Sequence, residues 1–219
     1  LVDKKLRDLG ERWLAQAESA CTAMGQLNYL ASTANEGQLT TVALTAHQAN
    51  SPALQGLIDD LARIGLVSRS HNALRFVDEA ARFFANGGWL EEYVYGLLLS
   101  LRPQIPRLQD CAQGMEISRN IGKRTVSNEL DVVALANNRL HIIECKTKKF
   151  NKGEGNDVIY KLDSLAELMG GTQARALLVS FKDIRLGERT RAAELDIDII
   201  GPAELPRLKS RLRQWLLEA

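Results

Sequence analysis

The stretch that decides the fold is Glu129-Leu130-Asp131-Val132-Val133-Ala134-Leu135-Ala136-Asn137-Asn138-Arg139-Leu140-His141-Ile142-Ile143-Glu144-Cys145-Lys146. It holds two short apolar runs around Asn137-Asn138, a dipeptide typical of a tight turn, and this pattern predicts a β-hairpin. Positions equidistant from the centre of the turn lie opposite each other, so we expect Asp131 to face Glu144. Lys146 shares the face of Glu144, because side chains alternate along a strand.

These three charged residues indicate phosphodiester chemistry. The carboxylates of Asp131 and Glu144 supply oxygen ligands of the kind that bind a hard divalent cation, Mg²⁺ or Mn²⁺. Lys146 beside them would orient or activate the attacking water and stabilise charge on the phosphorane. A surface ion pair across a hairpin is the alternative interpretation. The apolar neighbours favour the site, since charges next to buried runs are seldom placed there for solubility.

A helix upstream of the hairpin offers a further acid. Asn86-Gly87-Gly88 breaks the chain, and apolar residues at helical spacing then predict a helix that begins at Trp89. Glu91 and Glu92 in its first turn suit the helix dipole, which would explain them without chemistry. If this helix packs across the hairpin, one of them would reach the metal directly or through a water. Glu91 is the favoured candidate.

Together these motifs resemble the PD-(D/E)XK nuclease superfamily, with Glu129-Leu130-Asp131 in place of its proline-aspartate pair. The wider pattern, which adds residues 87–94 and 160–163, resembles the CRISPR-associated nucleases in which an N-terminal CARF domain senses cyclic oligoadenylate. The resemblance covers about residues 50–219. It implies a homodimeric endonuclease that cuts DNA, with RNA as a second candidate substrate, and it implies that the main-chain carbonyl of Cys145 completes the metal shell.

The sensor part of that family is not evident in the sequence. Nothing before residue 85 supplies the alternating strands and helices of a CARF domain. We therefore expect a C-terminal fragment of a longer parent, and a natural stand-alone nuclease is the alternative. Regulation by cyclic oligoadenylate is accordingly an implication about the parent protein, through a sensor domain absent from these residues.

Basic residues bracket the predicted acids. Lys123 and Arg124 precede the strand of Asp131, and Lys148 follows the strand of Glu144. Lys161 lies on the polar side of a predicted helix. We expect Lys123, Arg124 and Lys148 to contact substrate phosphates. The family resemblance implies that Lys161 contacts a phosphate or is a second active-site cation. Solvated loops and an exposed helix face are the alternative interpretation.

The organisation predicted for the chain is a small N-terminal unit, residues 1–84, and a nuclease domain, residues 85–219. Residues 3–24 have the pattern of one amphipathic helix, and residues 51–77 that of a helix and a hairpin, as in a winged-helix-like domain. A protein-contact or spacer role is favoured there over DNA reading. After residue 158 helices and strands alternate, which predicts an α/β fold with a restriction-endonuclease-like mixed sheet flanked by helices.

Composition agrees with an intracellular globular protein: 45% of the residues are hydrophobic, 25% are charged, and the net charge is +1. The three cysteines are far apart and lack the spacing of a zinc site or a disulfide framework. Neither a membrane span nor a signal peptide is evident, so we expect a cytoplasmic protein that does not bind membranes. The alternative function is a DNA-binding or dimerisation module with an inactive nuclease-like fold. A test of divalent-metal binding would distinguish this module from an active nuclease.

Overall fold

The computed structural model describes residues 3–34, 38–122, 124–148 and 154–218. Its N-terminal part contains α1 (Lys4–Ala15), α2 (Ala17–Thr33), α3 (Ala46–Ala49), α4 (Pro52–Arg63), β1 (Val67–Ser70), β2 (Ala73–Phe76) and α5 (Glu79–Phe83). A π-helical turn, Phe84–Gly88, leads into α6 (Trp89–Leu101). The predicted helix and hairpin of residues 51–77 are present as α4, β1 and β2, and β1 pairs with β2 in antiparallel fashion.

The main sheet has five strands in the order β3-β4-β5-β6-β7. They are β3 (Leu108–Ile121), β4 (Arg124–Ala136), β5 (Arg139–Lys146), β6 (Arg175–Ser180) and β7 (Ile197–Ile200). The first three strands are antiparallel and the last three are parallel, so the sheet is mixed. The remaining helices are α7 (Glu154–Gly170), α8 (Leu186–Glu194) and α9 (Leu208–Leu217).

Helices cover both faces of this sheet. On one face α6 packs against the strands, and α1, α2 and α9 join the same hydrophobic core around Val132, Ile143 and Val179. On the other face α7 and α8 pack around Ile142 and Leu178. The predicted α/β fold with a mixed sheet flanked by helices is thereby confirmed. No helix in the described ranges is both long and apolar enough to cross a membrane.

The predicted hairpin forms in the predicted register. Val132 pairs with Ile143 across β4 and β5, and Ala136 pairs with Arg139 next to the turn. Asn137 and Asn138 both have positive φ, 55° and 59°. Positive φ at both central residues is the geometry of a type I′ hairpin turn, and asparagine tolerates positive φ better than most residues.

The predicted helix of residues 3–24 is wrong in extent, because two helices, α1 and α2, meet at Gln16 with φ −114° and ψ 17°. Apolar residues keep their helical spacing from Trp13 to Ala17, across the break between α1 and α2. The sequence pattern alone therefore does not reveal the break. The strand β3 was not predicted, and β4 begins at Arg124 rather than near Leu130. Much of this longer hairpin is exposed toward its tip, where its sequence has no buried face to mark it as a strand.

Candidate active site

The candidate site lies where β4 and β5 separate. Their ladder ends at the pair of Val132 and Ile143, and beyond it β4 continues against β3 while β5 continues against β6. Within the gap, the backbone N–H of Cys145 donates a hydrogen bond of 2.7 Å to Oδ2 of Asp131. This bond satisfies a backbone donor that has left the ladder. It also fixes the Asp131 carboxylate at the entrance of the gap.

Glu144 and Lys146 lie on one face of β5 and form an ion pair. Glu144 is buried, and 30% of the Lys146 side chain is exposed. Burial acts to lower the pKa of Lys146, but the carboxylates of Glu144 and Asp131 outweigh it and hold that pKa above its ordinary value. Lys146 therefore keeps its proton and offers a cation to a substrate phosphate.

The acids of the site repel one another. Burial, and then the charge of Glu144, raises the pKa of Asp131 to about 6. Burial, and then the charge of Asp131, raises the pKa of Glu91 to about 8. Carboxylates crowded away from water lose part of their tendency to ionise. A divalent cation among them would offset this repulsion, so the chemistry of the donor set fits a metal ion.

Of the two adjacent acids on α6, the structure places Glu91 in this cluster. The charges of Asp131, Lys146 and Glu144 all act on the pKa of Glu91. The pKa of Glu92 is raised by burial and then by Asp3, and its side chain borders a separate cavity. The charges around Glu91 therefore agree with its choice over Glu92 in the sequence analysis.

The backbone of Cys145 is also directed into the gap. The N–H and C=O of one strand residue point to the same side of the strand. Because the N–H of Cys145 reaches Asp131, its carbonyl oxygen is on the side of the site as well. Among the residues that the structure describes, no three His, Cys, Asp or Glu side chains surround one metal position. A cation here would therefore bind the carboxylates of Asp131 and Glu144, this carbonyl and water.

The four predicted phosphate contacts lie in different places. Lys161 on α7 is exposed, and its charge acts to lower the pKa of Asp131, so it lies within electrostatic range of the site. Lys148 is exposed and borders a cavity beside α2. Arg124 pairs with Ile121 at the tip of the β3–β4 hairpin, and seven residues of strand, about 23 Å, separate it from Asp131. Lys123 lies outside the described residues.

One set of contacts at the site could not be predicted from the sequence. The side-chain amide of Asn28 on α2 donates a hydrogen bond of 2.9 Å to Oγ1 of Thr147, and both residues are buried. Gly87 packs on the same hydroxyl: its φ is +127°, and an added Cβ would lie 2.5 Å from Thr147 Oγ1. The residue after Lys146 is thus held between α2 and the turn before α6.

The stability of the metal-free protein is expected to fall as the pH rises. Folding raises the pKa of Glu91 from 4.5 to about 8, so between these values the folded state binds more protons than the unfolded state. The free energy of unfolding then decreases from about pH 4.5 to about pH 8. Glu91→Gln removes the titratable carboxyl group. The fall in the free energy of unfolding over this pH range should then be smaller by roughly 2 to 4 kcal/mol, allowing for partial exposure.

Urea unfolding in EDTA across this pH range measures the effect. Glu18→Gln, on the exposed face of α2, is the matched control and should keep the wild-type pH dependence. Equal pH dependence in Glu91→Gln and wild type would contradict the placement of Glu91 among the acids.

Comparison with known proteins yields one family and several structures. The family model described as Card1-like, endonuclease domain, matches residues 78–219. The structure of protein VC1899 from Vibrio cholerae superposes with a TM-score of 0.92 at 43% identity, covering 99% of this chain and 56% of that chain. Can2 from Sulfobacillus thermosulfidooxidans, solved in complex with cyclic tetra-adenylate, superposes with a TM-score of 0.76 at 29% identity, covering 98% and 57%. The chain thus spans a little over half the length of both proteins. No curated protein matches the sequence.

Proposed function

Because the chain belongs to the Card1-like endonuclease family, we propose that it hydrolyses phosphodiester bonds of DNA in a reaction that needs Mg²⁺ or Mn²⁺. RNA is the second candidate substrate. The observation that carries the proposal is the gap between β4 and β5, where two carboxylates and a protonated lysine converge. The residues assigned to the reaction are Glu91, Asp131, Glu144 and Lys146, with the carbonyl of Cys145 as a further ligand.

Each assigned residue has a separate task. Asp131 and Glu144 would bind the cation, and the hydrogen bond from the N–H of Cys145 keeps Asp131 in position. A bound Mg²⁺ or Mn²⁺ would supply an activated water and offset the charge of the phosphate. Lys146, held by its ion pair with Glu144, would donate to a phosphate oxygen as negative charge develops there.

Regulation is proposed from the relatives. Can2 was solved in complex with cyclic tetra-adenylate, and this chain is similar to a little over half of it. We propose that cyclic oligoadenylate activates the nuclease in antiviral defence through a sensor domain of the parent protein, and that the parent acts as a homodimer. The N-terminal helices pack in the same hydrophobic core as α6, which would let a movement of the sensor reach the site.

Nicking of supercoiled plasmid tests the proposal. With Mn²⁺ or Mg²⁺ the protein should convert supercoiled DNA to the nicked form, and EDTA should stop the reaction. Cutting that continues in EDTA would contradict the metal requirement. Binding without cutting, on both DNA and RNA, would favour the inactive nuclease-like module instead.

A further inference from the structure

A cavity of about 730 Å³ lies beside the candidate active site, between α2 and the ends of β5 and β6. Two lysines border it, Lys148 after β5 and Lys182 after β6. The two strand ends are joined at this point, because Phe181 N–H donates a hydrogen bond of 2.7 Å to the carbonyl of Lys146. One wall of the cavity therefore lies two residues along the chain from Lys146, which would face the scissile phosphate.

Lys182 is buried, and the structure shows no anion paired with it among the described residues. Only 5% of it is exposed, and no carboxylate of the described residues lies within ion-pairing distance of its Nζ. Asp183 also borders the cavity, but it is exposed and forms no ion pair with Lys182. An anionic ligand in the cavity would supply the partner that the described residues do not.

The residue facing Lys182 on α2 is a glycine. A Cβ added to Gly25 would lie 3.3 Å from Nζ of Lys182, so this glycine leaves room at the amine. Gly25 is itself on the cavity wall. The tip of the lysine thus lies at the cavity rather than in a sealed core.

The wall also includes two amide side chains and an aromatic ring. The side-chain oxygens Oδ1 of Asn28 and Oε1 of Gln26 are buried, and neither has a hydrogen-bond partner among the described residues. Both side chains border the cavity. Tyr29, on the same wall, is 59% exposed. A fitting ligand would supply an anion and a flat apolar surface.

We propose that this cavity binds one nucleotide of a single-stranded nucleic acid next to the bond that is cut. Lys182 and Lys148 contact its phosphate, and its base stacks on Tyr29, as in other proteins that bind single strands. The neighbouring cut bond rests on the proposed nuclease function, whereas binding in the cavity needs no metal.

Fluorescence anisotropy with a short labelled single-stranded deoxyoligonucleotide tests the cavity. The measurements use EDTA and a Glu144→Gln background, which prevents cutting. Lys182→Met should weaken binding about tenfold, the effect of losing a hydrogen bond to a charged group. It should also reduce the slope of log affinity against log salt by about 0.7, the value for one phosphate contact to a single strand.

Tyr29 and an exposed lysine provide the matched variants. Tyr29→Ala should weaken binding about tenfold, whereas Tyr29→Phe keeps the stacking surface and should bind as the parent does. Lys5→Gln, an exposed lysine of α1, should leave affinity unchanged. Unchanged affinity in both Lys182→Met and Tyr29→Ala would overturn the proposal.

Thermal stability separates a ligand-binding role of Lys182 from a structural one. Lys182→Met removes a charge that has no ion-pair partner among the described residues and keeps much of the side-chain volume, so the Tm of the ligand-free protein should not fall. A lower Tm with unchanged oligonucleotide affinity would make Lys182 structural and overturn the proposal.

Competition identifies what the cavity recognises. A mononucleotide should displace the oligonucleotide at lower concentration than inorganic phosphate does. Equal competition by the two would show recognition of the anion alone and overturn the nucleotide assignment. The two proposals can fail separately. If Lys182→Met weakens binding but the wild-type protein does not cut nucleic acid, only the nuclease proposal is contradicted. If the wild-type protein cuts but Lys182→Met binds as the parent does, only the cavity proposal is contradicted.

Discussion

Glu144→Gln is expected to reduce plasmid nicking by about a thousandfold, the upper range for loss of one group that stabilises the transition state. Glu144 is buried at the centre of the site, where its charge both pairs with Lys146 and would bind the cation. Glutamine keeps the shape of the side chain but removes that charge. The fold should persist, because Asp131 remains close enough to Lys146 to act on its pKa.

Glu116→Gln is the control for this substitution. Glu116 lies on the exposed part of β3, so the same change of charge should leave nicking and Tm at wild-type values. Circular dichroism and thermal unfolding establish that Glu144→Gln is folded. Nicking by the purified Glu144→Gln protein at the wild-type rate would remove Glu144 from the site.

Lys146→Met should lower the rate of nicking by about 100- to 1,000-fold while the protein still binds Mn²⁺. A cation beside the scissile phosphate contributes roughly 3 to 4 kcal/mol to transition-state stabilisation, by analogy with other electrostatic groups. Removing it also leaves Glu144 and Asp131 with less positive charge nearby, so affinity for the cation should hold or increase.

Calorimetric titration with Mn²⁺ alongside the nicking assay measures both quantities. Lys209→Met, on the exposed surface of α9, is the matched control and should change neither. If Lys146→Met lost metal affinity together with activity, Lys146 would act by holding the carboxylates rather than by contacting the phosphate.

The hairpin that carries the site could be predicted because its determinants are local. Asn137 and Asn138 fix the turn, and the turn fixes the register, which puts Asp131 and Glu144 at matching distances from it. Alternation along β5 then places Lys146 with Glu144. Three of the candidate residues follow from this one motif.

The rest of the site depends on tertiary contacts that spacing does not encode. Adjacent residues on a helix point about 100° apart, so the choice of Glu91 over Glu92 requires the orientation of α6 against the sheet. The burial of Lys182 depends on Gly25, which belongs to another element far away in the sequence. The strand β3 carries too weak a pattern for prediction, because polar residues fill half of it and its outer part has no buried face.

The hydrogen bond between Asn28 and Thr147 also constrains the order of events while the chain is being made. The ribosome adds 119 residues between these partners. At about 5 to 20 residues per second this takes roughly 6 to 24 seconds, during which the side of α2 that will meet Thr147 has no strand to cover it. Incompletely folded chains with exposed apolar surface are prone to aggregate. This side of α2 therefore stays without its strand for about half of the time that synthesis of the 219 residues takes.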